Sequence, residues 1–70
     1  DIPSAYTCTI SQELMRDPVV LVGSGNTYER TEIVKWLREK STDPNTNVEI
    51  PKESQLLVPN VALRSAIDEF

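Results

Sequence analysis

The chain contains no histidine and a single cysteine, Cys8, and this shortage constrains its folding more than any other feature. A domain of seventy residues buries a modest share of its surface, and domains near this size often use disulfides, metals or partner chains as staples. One cysteine rules out an intrachain disulfide. A structural zinc site takes four ligands, mostly thiolate or imidazole, and this chain supplies less than half a set. Its carboxylates lack the spacing of a calcium loop. The sequence therefore predicts a metal-free fold held by apolar packing, ion pairs and hydrogen bonds.

The same shortage restricts the chemistry. Without histidine there is no Cys/His or Ser/His pair, and nothing near Cys8 in sequence would activate its thiol. Cys8 reads as a structural residue. Glu29, Glu32 and Glu39 read as solvated helix positions, and "GSG" lacks the lysine and glycine spacing of a phosphate loop. Eleven acidic and seven basic side chains give a formal charge of -4, and no basic patch suits nucleic acid. No apolar run reaches the length of a membrane span, and no signal-peptide pattern is present. The lone thiol suits a reducing compartment, which predicts a cytoplasmic or nuclear protein. The chain begins at Asp1 without methionine and ends at Phe70 inside a helical pattern, so a domain cut from a longer protein is expected. The chemistry that remains is that of holding another protein.

Local patterns predict a small α+β module. In "RDPVVLVGSGNTYER", Val19 to Val22 form a β-branched run, Gly23-Ser24-Gly25-Asn26 can reverse the chain, and Thr27-Tyr28 return as a second strand. Upstream, Ser11 to Met15 reads as one turn with Ser11 as its cap and Leu14 inward. A helix follows the hairpin from Arg30 to about Lys40, with Ile33, Trp36, Leu37 and Lys40 at three- and four-residue spacing. Glu29 is placed to accept from its first amides. Asp43-Pro44 makes a turn in which Asp43 can bond back to its own loop, and at most a short strand is expected near Leu56 to Val58. Asn60 is a good N-cap for a last helix carrying Leu63, Ala66, Ile67 and Phe70 on one stripe. Two Asp-Pro loops, at Asp17-Pro18 and Asp43-Pro44, echo each other weakly across the central helix.

Four stretches, "DIPSAYTCTISQELMRDPVV", "GNTYERTEIVKWL", "TDP" and "LVPNVALRSAI", cover nearly the whole chain in order. Together they resemble the U-box domain of ubiquitin-protein ligases, a zinc-free relative of the RING finger. The resemblance implies a hairpin, a central helix, two long loops and a C-terminal helix, with the loops held by polar contacts where a RING finger holds zinc. Candidates for that network are Glu13, Arg16, Asp17, Arg30 and Asn60. It also implies an E3 function: binding a ubiquitin-conjugating enzyme charged through a thioester, and promoting transfer to a substrate lysine held by other parts of the ligase. No cofactor and no catalytic residue on the domain itself are implied.

By position, the resemblance assigns Ile10, Gln12, Trp36 and Pro44 to the surface for the conjugating enzyme. Ile33 and Leu37 are expected to point inward and Trp36 to be partly exposed. Three departures from the family pattern stand out. Gln12 replaces a frequent large apolar residue. Asn47 occupies the place of a basic residue that bridges the conjugating enzyme and its ubiquitin. The hairpin is one residue longer than usual. Two alternatives stay open at this point: a non-catalytic interaction module blunted at Gln12 and Asn47, and an oligomerisation module, since some U-boxes form homodimers and Phe70 could serve such an interface.

Overall fold

The hairpin forms where the β-branched run places it, displaced by one residue. In the computed structural model, which describes residues 2–70, strand β1 (Pro18–Leu21) pairs antiparallel with β2 (Asn26–Glu29), and Leu21 faces Asn26 across the turn. The expected strand end, Val22, is exposed at the turn instead, and Asn26 joins the return strand. Backbone bonds explain the shift: Ser24 and Gly25 both donate to the Leu21 carbonyl, at 3.1 and 2.7 Å. Gly25 sits at φ 78°, in the left-handed region that glycine enters without strain. Gly23 is needed for room. A β-carbon there would lie 2.7 Å from Ile50 Cγ2 and 3.0 Å from the Ser54 carbonyl.

A third strand, β3 (Leu57–Pro59), adds antiparallel to the free edge of β1, giving the order β2-β1-β3. Helix α1 (Arg30–Glu39) leaves β2 directly, and helix α2 (Val61–Asp68) follows β3. The α+β architecture is the one the sequence predicts. Asn60 caps α2 by accepting from the Leu63 amide at 3.1 Å. Along α1, Ile33 is buried and Leu37 and Trp36 are half-buried against the core. That core is Cys8, Met15, Val19, Leu21, Tyr28, Ile33, Ile50 and Ile67. Phe70 departs from expectation: α2 stops at Asp68, so Phe70 lies beyond the stripe, exposed, with its ring edge-on to Tyr6 at 5.6 Å.

Much of the remaining chain forms two loops, residues 7–15 and 42–50, that share one backbone pattern; single 3-10 turns lie just before the first (Ser4–Tyr6) and just after the second (Lys52–Ser54). Cys8 N–H donates to the Glu13 carbonyl, and its own carbonyl accepts from Gln12 N–H. Asp43 does the same with Val48 and Asn47. Bridges Thr7–Leu14 and Thr42–Glu49 close the two loops, and Met15 to Tyr6 and Ile50 to Ser41 continue each closure. A constant shift of 35 positions (Thr7 to Thr42) carries the first set of bonds onto the second. Both loops pass through the left-handed region, at Gln12 (φ 59°) and Asn47 (φ 61°). The echo in the fold therefore pairs Cys8 with Asp43. The two Asp-Pro dipeptides are out of register with each other, and Asp17 belongs to the entry of β1.

Candidate functional site

The site is framed by these loops, and each is secured differently. In the first, the Cys8 thiol is fully buried and accepts from the Glu29 amide at 3.3 Å. The Glu29 carboxylate turns towards the loop, taking the Arg16 amide at 2.7 Å and the Asp17 amide at 3.2 Å. This corrects its expected role, because it makes no capping bond to α1. The Arg30 amide at the helix start is taken by the Asp17 carbonyl, and the amides of Arg16 and Asp17, just past the loop, have no other acceptor among the described residues.

The polar residues proposed from the sequence are not all joined. Arg30 Nε meets Asp17 Oδ2 at 2.7 Å, with the side chains 42% and 40% exposed, so the pair contributes under about 1 kcal/mol. Asn60 ties three elements: its amide donates to the Pro18 carbonyl, its Nδ2 to Thr27 Oγ1, and its Oδ1 caps α2. Glu13 and Arg16 are exposed, and neither side chain has a hydrogen-bond or ion-pair partner among the described residues. They act through their backbones alone, which removes both from the expected side-chain network.

The second loop is built around a residue absent from that network. Asp43 is wholly buried, with no ion-pair partner among the described residues. Its Oδ1 accepts from the Tyr28 hydroxyl at 2.6 Å. Its Oδ2 accepts from Asn26 Nδ2, the Asn45 and Thr46 amides and Thr46 Oγ1, at 3.0 to 3.2 Å. Burial, the largest single influence, pushes the Asp43 carboxyl up. The nearby Ser24 side chain and the hydrogen bonds from Tyr28, the Thr46 amide and Asn26 together outweigh it and hold the carboxyl at about 2. The Tyr28 phenol is pushed well above its ordinary range, first by burial and then by its bond to Asp43. Sequence signals pointed to the loop amides, since Asp before Pro-Asn-Thr commonly bonds its own turn. Nothing local pointed to Tyr28 or Asn26, which arrive from β2.

Among the predicted surface residues, Ile10 and Trp36 are half-buried and line one shallow groove of about 280 Å³, with Glu32, Lys35, Glu39 and Lys40. Glu32, Lys35 and Glu39 border Trp36 in this groove. The indole Nε1 donates to the Thr42 carbonyl at 2.6 Å, fixing the ring against the second loop. Lys40 Nζ lies 4.7 Å from the ring centroid. Thr9 Oγ1 donates to Asn45 Oδ1 at 2.7 Å, joining the two loops beside Ile10 and Pro44. Pro44 is half-buried, while Gln12 and Asn47 are exposed; these three do not line the groove.

The arrangement offers a cleft with apolar walls and a charged rim, with no thiol or hydroxyl side chain among its lining residues. Cys8 is sealed in the core, and among the described residues no group of three or more His, Cys, Asp or Glu side chains could hold a metal ion.

Comparison with known proteins agrees along the whole described length. The chain is 49% identical over 70 residues to U-box domain-containing protein 13 of Arabidopsis thaliana, covering 99% of this chain and 10% of that protein. It is 44% identical to E3 ubiquitin-protein ligase PUB24 of Arabidopsis thaliana (100% of this chain, 15% of the relative). It is also 44% identical to U-box domain-containing protein 4 of Oryza sativa subsp. japonica (99% and 9%). The chain thus spans a small fraction of each relative. The family model described as "U-box domain" matches residues 2–70, and this chain belongs to the U-box domain family.

Proposed function

We propose that this domain docks a ubiquitin-conjugating enzyme charged with ubiquitin and promotes ubiquitin transfer to a lysine of a substrate held by other parts of a longer ligase. The observation that carries the reading is the groove shared by Ile10 of the first loop and Trp36 of α1, with the second loop tied alongside through Thr9 and Asn45 and through the Trp36 indole. The name of the PUB24 relative as an E3 ubiquitin-protein ligase supports it. In this reading Ile10 is the apolar anchor, Trp36 the wall, Pro44 a rigid contact from the second loop and Gln12 a polar rim. An aromatic at the middle of a small interface is a common hot spot.

The thiol and thioester belong to the partner. The domain contributes orientation and effective concentration, which need no nucleophile of its own. Asn47 orients the ubiquitin through a neutral amide, a weaker device than a charged fork. The buried thiol of Cys8 fits a reducing setting, cytoplasmic or nuclear.

Timed loss of the thioester tests the reading. The chain is mixed with ubiquitin-charged conjugating enzymes and free lysine, against controls without it. Acceleration that Ile10→Ala or Pro44→Ala abolishes, with melting behaviour intact, is the expected result; no acceleration with any enzyme overturns it. The neutral side chains at Gln12 and Asn47 favour a second reading, a module that binds without accelerating. Asn47→Arg separates the two, since a faster discharge marks a ligase lacking only its bridge.

A further inference from the structure

Glu32, Trp36 and Lys40 follow one another at four-residue steps along α1, and Lys35 and Glu39 flank them in the groove. None of these four charged groups has an ion-pair partner among the described residues, where the pair found is Arg30 with Asp17. Lys40 alone covers the indole, with Nζ 4.7 Å from the centroid. Its backbone is fixed, because its amide donates to the Trp36 carbonyl at 2.9 Å as the cap of α1. Its side chain is exposed and flexible beyond that anchor.

We propose that Lys40 is a specificity-determining residue of the docking face, ranking conjugating enzymes by the charge of the group each brings to Trp36. The inference rests on the docking reading above. An ammonium over a half-buried indole, with its own head in water, is held by the ring quadrupole with a strength equivalent to about 2- to 5-fold in an equilibrium. A partner that presses an apolar side chain onto Trp36 must displace the ammonium and forfeits that factor. One that brings a carboxylate or carbonyl leaves Lys40 in place and gains a charge-assisted hydrogen bond. A basic group is repelled. With two glutamates and two lysines around it the groove is balanced, so removing Lys40 leaves it net negative and turns its preference towards basic partners.

The test measures dissociation constants by titration calorimetry for the chain and its Lys40→Gln, Lys40→Arg and Lys40→Glu variants. The probes are uncharged ubiquitin-conjugating enzymes chosen for acidic, apolar or basic side chains on their ligase-facing surface, with thermal melts as fold controls. Lys40→Gln should weaken acidic partners and strengthen apolar and basic ones, each by about 2- to 5-fold. Lys40→Glu should widen the inversion, and Lys40→Arg should keep the native order. Binding with the order unchanged in Lys40→Gln, or with all partners shifted alike, overturns this inference and leaves the docking reading standing. Absence of binding by any enzyme to the unmutated chain overturns both.

Discussion

The two loops share a backbone pattern and differ at the position that organises each. Where the first has Cys8, the second has Asp43, and both are fully buried. The thiol accepts one long bond and otherwise packs, so its loop depends on outside help from the Glu29 carboxylate and from core neighbours such as Met15. The Asp43 carboxylate gathers donors from its own loop and from two β2 side chains. One backbone shape can thus be stabilised by apolar fill or by a buried anion. The second route concentrates the cohesion of a loop in a single residue. Breaking a buried charged network is costly because donors are stranded, whereas losing a small apolar residue costs only packing.

The largest expected break in the comparison is Asp43→Ala. It strands the Tyr28 hydroxyl and two loop amides, and should cost about 3–5 kcal/mol in urea unfolding, against about 1 kcal/mol for Cys8→Ala. Equal losses at the two positions would refute the distinction. Acid should act next. The Asp43 carboxyl titrates at about 2 folded against an ordinary 3.8, so the unfolded chain takes its proton first as pH falls. The stability it contributes, roughly 2–3 kcal/mol, is complete above about pH 4 and drains as pH drops through 2. Amide exchange should then show Asn45 and Thr46 opening before Gln12 and Glu13.

A smaller effect is expected at Gly23, whose missing β-carbon makes space for Ile50 at the closure of the second loop. Gly23→Ala should cost about 1–2 kcal/mol in thermal melts, since Ile50 can turn aside but the Ser54 carbonyl cannot. The mildest test compares the two left-handed positions. Gln12→Gly should stabilise by up to about 1 kcal/mol and Asn47→Gly by less, because asparagine tolerates that region better than glutamine. A larger gain at Asn47 would mean that its side chain adds strain of its own.

The elements legible in the sequence are those whose signals are local. The strand run from Val19, the spacing of Ile33 and Leu37, and Asn60 before an apolar stripe each announce their structure within a few residues. Boundaries slipped by a residue at Val22 and Asn26 because the turn closes on the Leu21 carbonyl, through the Ser24 and Gly25 amides, and residue type does not announce which carbonyl the turn will use. The register of the matching loops was invisible, since their likeness lies in backbone bonds while the residues that organise them, Cys8 and Asp43, are dissimilar. Glu29 was misread for a related reason, its acceptors being free while its destination lay thirteen residues back at Arg16. For the candidate surface, the sequence supplied Ile10 and Trp36 through family resemblance and missed the charged border, which becomes a border only once α1 lies beside the first loop.

The bond from the Trp36 indole to the Thr42 carbonyl bears on how cheaply that ring can be covered. Its single polar hydrogen is already satisfied inside the molecule, so a closing surface need supply the ring no acceptor. The ring is also immobilised beforehand, which spares an incoming protein the entropic penalty of freezing it. Trp36→Phe, though similar in bulk, would release that restraint and leave the Thr42 oxygen thirsty.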